Sequence, residues 1–344
     1  MTRIGLVLGG GGVVGQAYHS AVLAVLQHDF DFDARAADVI VGTSAGSITG
    51  ALLRLGVSAE DLAAWTVKAP LSTEDDAVRR MSESVLPELS PFRALHLLRR
   101  PMHLPGWRLL HRAATRPWRF RPLAAASTLL APGRHDIVGQ LSALQDLEGE
   151  GWPTPDLLIC ALRRRDGRRV IFGHPDAPPA RLHQAVAASC AFPGYFAPVK
   201  IDGHEYVDGG AHSPTNAAIL RNRGLDLAII ISPMSGPPGL RPDLYSVARR
   251  HAARLLDNEV RALERSGVKT LVFAPQKTEQ RVMGNDMMSR QHLHDIVQHS
   301  FLAAGAHAGT ATVHDLMRTA TGPQNGRRGR SDPSRPVDGD RAAS

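Results

Sequence analysis

Hydrophobic positions along this chain follow two alternating rhythms. Short runs rich in Val, Ile and Leu recur at residues 3–8, 39–41, 157–162, 170–173, 225–232 and 270–274. Such runs, bounded by glycine or polar residues, read as buried strands. Longer stretches with apolar residues three and four apart lie between them, at 16–27, 45–55, 57–69, 182–189, 245–265 and 291–318. These read as helices, and Ser58 with Asp61 three residues on forms an N-terminal cap for one of them. Residues 200–201 and 205–207 flank Asp202-Gly203, a hairpin signal. Ser213-Pro214 predicts the start of a further helix, running to Arg223 and closed by Gly224. Strands alternating with helices predict an α/β fold.

Two of the strand-to-helix junctions carry chemistry. Val39-Ile40-Val41 leads into Gly42-Thr43-Ser44-Ala45-Gly46, a G-x-S-x-G sequence followed by a small-residue helix. Strand, tight turn and helix are the context of a nucleophile elbow, with the serine at the apex. Glycines two residues either side remove side chains where strand and helix nearly collide. The first strand leads into Gly9 to Gly12 and then Val13-Val14-Gly15. Free N–H groups converge in such a loop with no Cβ in the way, which suits an anion. Gly10 to Gly15 also fits the dinucleotide fingerprint G-x-G-x-x-G, but that fingerprint wants an acidic residue at the end of the second strand. Here that strand ends in Gly42 and runs into the serine elbow. The glycine loop is therefore read as a source of oxyanion-hole donors to Ser44. A third junction, Asp208-Gly209-Gly210, sets a carboxylate at a strand end beside two glycines that allow close backbone approach.

Composition narrows the setting. The chain has 344 residues, 43% of them hydrophobic, and a formal charge of +7. Two cysteines, Cys160 and Cys190, make no disulfide framework, and Cys160 sits inside an apolar run as a buried thiol. The apolar run near the N-terminus is too short for a signal-peptide core, and none is long enough to span a bilayer. A reducing, cytoplasmic location is the expectation. No acidic residue falls between Glu88 and Asp136, a stretch holding nine arginines from Arg93 to Arg134. Its arginines alternate with Leu, Trp and Phe between prolines, from about residue 71 to 132. A basic block suits an anionic membrane surface or nucleic acid. Interleaving with Trp and Leu turns the expectation to peripheral membrane contact between Arg93 and Arg121, and no nucleic acid is expected. The alternative is an ordinary helical insertion with solvated arginines. From Gly322 onward the chain is Gly, Pro, Ser and Arg without a core, which predicts a disordered tail over 321–344.

The three glycine-flanked junctions, in this order and with the elbow so near the N-terminus, resemble the patatin-like phospholipase family. Ala188-Ser189-Cys190-Ala191-Phe192-Pro193, leading to Tyr206-Val207-Asp208-Gly209-Gly210, is similar to that family as well. The likeness spans residues 4–214. It implies a three-layer α/β/α fold with a mostly parallel sheet, in one domain over 1–320 that includes the helical basic insertion and C-terminal elements from 215. It also implies a Ser–Asp dyad that cleaves lipid carboxylic esters without a cofactor or metal. Ser44 would attack the carbonyl, Asp208 would take its proton, and N–H groups of Gly10, Gly11 and Gly12, with Ala45, would hold the oxyanion. Gly15, Gly42, Gly46, Gly209 and Gly210 would shape the motifs. One position departs: the family carries Arg or Lys before the last glycine of the first motif, and this chain has Val14.

A carboxylate near its ordinary pKa of about 3.9 is a weak base for serine, and a desolvated site would raise that value. The histidines nearest in sequence to Asp208 are His212 and His204, with His183 further off, and each reads as a surface or core residue. His292, His299, His307 and His314 fall on one face of a predicted helix but two turns apart, so no metal site is expected. A weakly active or non-catalytic lipid-binding relative is the alternative reading, and a dinucleotide-binding protein a distant one.

Overall fold

The computed structural model describes residues 2–72, 107–115, 121–237 and 244–321. Eight strands form one sheet: β1 (Ile4–Leu8), β2 (Val39–Thr43), β3 (Asp156–Arg163), β4 (Arg168–Phe172), β5 (Val199–Ile201), β6 (His204–Asp208), β7 (Leu227–Ile231) and β8 (Lys269–Phe273). Their order is β5-β6-β3-β2-β1-β7-β8, with β4 paired to β3. β3, β2, β1, β7 and β8 run parallel, β4 and β6 pair antiparallel with β3, and β5 pairs antiparallel with β6.

Side chains alternate across the sheet, as a pleated strand requires. Leu6, Leu8, Ile40, Leu157, Ile159, Ile229 and Ile231 face one side, where they are buried with α1 (Gly12–Phe30), α2 (Ala45–Arg54) and the helices Leu182–Cys190 and Leu293–Ala308. Val7, Val41, Leu158, Ala228 and Ile230 face the other, against Leu256 and Leu263 of the helix Leu244–Glu264. This is a three-layer α/β/α arrangement with a mostly parallel sheet.

Local signals in the sequence account for most elements. Ser58 caps the helix Ala59–Val67 by accepting the Asp61 N–H at 3.0 Å. Asp202 and Gly203 both adopt positive φ in the β5–β6 turn, as a two-residue hairpin needs. Several predictions need correction. The expected helix at 213–223 is a 3-10 turn, Ala217–Leu220. Asn216 ahead of it takes φ 53°, and its Nδ2 donates to Thr43 Oγ1 and the Ser213 carbonyl instead of entering a helix. The expected helix at 291–318 is two helices, Leu293–Ala308 and Ala311–Thr321. Thr310 ends the first by donating both its N–H and its hydroxyl to the His307 carbonyl. A helix at Lys277–Met283 was not anticipated, and Glu279 caps it by accepting the Gln276 N–H at 2.7 Å. Of the basic insertion, helices Trp107–Thr115 and Pro122–Leu129 are described. Residues 73–106 and 116–120 of the insertion, and the tail from 322, lie outside the described residues.

Candidate active site

Strand pairing alone brings the serine and the aspartate together. β4 occupies residues 159–163 on one edge of β3. β2 pairs with residues 156–160 and β6 with residues 161–163. Both overlap β4, so both must lie on the opposite edge of β3, end to end. Thr43 stands opposite Cys160 and Asp208 opposite Ala161, the next residue along. Ser44 leaves β2 at the point where β6 ends.

The serine sits in a strained turn. Its φ is 52° and ψ −125°, outside the regions favoured by residues with a Cβ. Three contacts hold the strain. Ser47 N–H donates back to the Ser44 carbonyl at 2.7 Å. The Ser44 N–H donates to Ser189 Oγ at 2.9 Å, and that hydroxyl donates to the Cys160 carbonyl on β3 at 2.7 Å. Gly46 lets α2 approach β1, because a Cβ there would collide with the Leu8 carbonyl.

Asp208 is 3% exposed. Its N–H donates to the Ala191 carbonyl at 3.0 Å, and its Oδ1 accepts the Gly210 N–H at 2.7 Å. The Ser44 hydroxyl donates to the same carboxylate. Burial pushes the Asp208 carboxyl up to about 6, against the smaller opposing pull of these hydrogen bonds. This is the shift that makes a carboxylate a better-matched base near neutral pH. His183 is engaged elsewhere, its Nδ1 2.8 Å from Glu148 Oε1. Cys190, beside Ser47 at 3.7 Å, and Cys160, with a thiol pushed up to about 12 by burial, are inert.

The glycine loop faces Ser44, and its three donors are not equivalent. Helix α1 begins at Gly12, earlier than the predicted residue 16, so Gly12 to Gly15 form its first turn. Gly10 N–H donates to the Pro214 carbonyl at 2.8 Å. This removes Gly10 from the expected oxyanion donors; its place is as the bare surface against Ser44, where a Cβ would lie 3.3 Å from Ser44 Cβ. The N–H groups of Gly11, Gly12 and Ala45 have no hydrogen-bond partner among the described residues. They stand at the N-termini of α1 and α2, where backbone donors and the helix dipole favour negative charge. Val14 is fully buried, and its N–H donates to the Met287 carbonyl at 3.2 Å.

The segment after Asp208 ties the motifs together. Pro214 meets Gly10, Asn216 meets Thr43, and the Ser213 N–H donates to the Gly209 carbonyl at 3.3 Å. The helix signals of Ser213-Pro214 do not show this role, which depends on contacts distant in sequence. Arg121 also departs from expectation. Counted within the basic tract, it turns inward, and its Nη1 donates to the His212 carbonyl beside this segment. No cluster of potential metal ligands occurs among the described residues.

Residues 6–221 match the model of a family described as patatin-like phospholipase. The chain belongs to the patatin-like phospholipase family. The matched segment holds the elbow, the glycine loop and Asp208. Among solved structures, VipD from Legionella pneumophila aligns with TM-score 0.41 and 16% identity over 93% of this chain and 67% of its own. The type III effector ExoU, from Pseudomonas aeruginosa, aligns at 0.36 and 15% over 93% of this chain and 54% of its own. Human group IVD cytosolic phospholipase A2, solved with methyl gamma-linolenyl fluorophosphonate, aligns at 0.37 and 13% over 93% and 59%. This chain therefore spans about half to two thirds of the length of those proteins.

Proposed function

We propose that this patatin-like protein hydrolyses lipid carboxylic esters through a Ser44–Asp208 dyad and an acyl-enzyme. The observation that carries the reading is the placement of Ser44 and the buried Asp208 carboxyl at the abutting ends of β2 and β6.

Ser44 Oγ attacks the ester carbonyl carbon while its proton passes to Asp208. The carbonyl oxygen becomes an oxyanion facing the N–H groups of Gly11, Gly12 and Ala45. Collapse breaks the bond to the alcohol, which takes the proton from Asp208 and leaves the acyl group on Ser44. Water then attacks the acyl carbon, giving its proton to Asp208. The second collapse releases the fatty acid and returns the proton to Ser44. The dyad needs no third residue because burial already places the carboxyl at about 6.

The substrates in this reading are esters of the phospholipase A, lysophospholipase and esterase class. We place the site of action at an anionic membrane surface, on the support of the arginine-rich insertion and the Trp107 side chain, 76% exposed. No helix among the described residues is long and apolar enough to cross a membrane. The test is a panel of phospholipid, lysophospholipid and short-chain esters, assayed with wild type and Ser44→Ala. Hydrolysis by wild type and its loss in the variant support the reading, and a folded wild type inert across the panel overturns it. Binding to anionic but not neutral vesicles supports the membrane placement; equal binding to both removes it.

A further inference from the structure

The glycine loop leans on two segments far away in sequence. A Cβ on Gly11 would fall 2.9 Å from Pro233 Cβ, just past β7. A Cβ on Gly12 would collide with the Met287 carbonyl, the group that accepts the Val14 N–H. Pro233 and Met287 thus form the backing of the two free donors.

One buried cation reaches both. Arg249, on the helix Leu244–Glu264, is 2% exposed. Its Nη1 donates to the Pro233 carbonyl at 2.9 Å and to the Ser235 carbonyl at 3.2 Å. Its Nη2 donates to Tyr245 Oη at 3.0 Å, and the guanidinium lies 4.8 Å from the centre of that ring. The Tyr245 hydroxyl in turn donates to Met287 Sδ at 3.1 Å. Among the described residues no carboxylate lies within ion-pair distance of Arg249, so its planar fork serves backbone and phenol oxygens. A guanidinium is expensive to bury without a counter-charge. Its placement behind the loop that offers bare N–H groups to Ser44 gives that burial a use.

We infer that Arg249 is a positioning residue for the oxyanion donors: it braces Pro233 directly and Met287 through Tyr245, and so fixes the Gly11 and Gly12 N–H groups. Its catalytic consequence rests on the hydrolase reading above, but its structural consequence does not. Arg249 also lies beyond the matched segment 6–221, so the helix after it completes the site.

The test uses the full chain in four forms: wild type, Arg249→Met, Arg249→Lys and Tyr245→Phe. Amide hydrogen exchange is read peptide by peptide, and turnover on a short-chain p-nitrophenyl ester. In Arg249→Met the glycine-loop peptide should exchange about tenfold faster while peptides from β3 hold, and kcat should fall about tenfold with KM within about twofold. Arg249→Lys should recover part of both, and Tyr245→Phe, which removes one oxygen, should show a smaller version of the same pattern. Unchanged loop exchange and kcat in Arg249→Met and Tyr245→Phe overturn the inference. So does exchange that rises evenly over the whole chain in both variants. If wild type neither turns over the ester nor takes a fluorophosphonate, while the loop still loosens in Arg249→Met, the brace stands and the hydrolase reading fails.

Discussion

Ser44 and Asp208 stand at the facing ends of two strands that share one edge of β3, one running up to the junction and the other down to it. The two residues are thus brought together by backbone pairing, before any side-chain contact is considered. The first consequence is a pH dependence.

The folded Asp208 carboxyl titrates at about 6, above an ordinary 3.8. As a base it must be ionised, so kcat should rise with pH through an apparent pKa near 6 and level off above it. Stability should move the other way. The folded chain keeps a proton that the unfolded chain releases between those two values, so stability falls as pH rises from about 4 to about 6. Asp208→Asn should therefore be more stable than wild type at pH 8, by an amount on the order of 3 kcal/mol, and gain nothing at pH 4. Denaturant melts at the two pH values check the difference.

Ser189 offers a second prediction. Its hydroxyl joins the Ser44 N–H to the Cys160 carbonyl, and both Ser189 and Cys160 are fully buried. Ser189→Ala leaves a donor and an acceptor unpaired, a loss of about 1–3 kcal/mol in a denaturant melt. It also frees the strained turn at Ser44, so kcat should drop by more than the folded fraction explains.

Two glycines should separate folding from catalysis. Gly46→Ala drives a methyl group into the Leu8 carbonyl, and thermal melts should show a loss of about 3 kcal/mol or failure to fold. Gly10→Ala places its methyl 3.3 Å from Ser44 Cβ without touching the sheet that closely. That variant should fold, with a melting temperature near wild type, and lose about tenfold or more in kcat.

These contrasts follow what the sequence could and could not reveal. The elbow from Gly42 to Gly46 was legible because strand, turn and helix are consecutive and the glycine spacing is a local requirement. The hairpin at Asp202-Gly203 was legible for the same reason. The segment from Ser213 to Arg223 was misread, since Ser-Pro and a closing glycine are helix signals, while the Asn216 side chain bonds to Thr43, far away in sequence. Gly10 was misjudged as a donor because its partner, the Pro214 carbonyl, comes from that same misread segment. Arg121 looked like surface charge in a tract defined by composition, and only the fold shows it turned towards His212. The meeting of Ser44 with Asp208 came from family resemblance. Its physical cause, β2 and β6 abutting along β3, is a pairing that no local pattern encodes.

The most direct measurement is the intact mass of the protein after treatment with a fluorophosphonate, across wild type, Ser44→Ala and Asp208→Asn at pH 8. A reactive Ser44 activated by Asp208 gives a single adduct in wild type, none in Ser44→Ala, and at least a hundredfold slower labelling in Asp208→Asn. Undiminished labelling in Ser44→Ala, or equal rates in wild type and Asp208→Asn, would contradict the dyad.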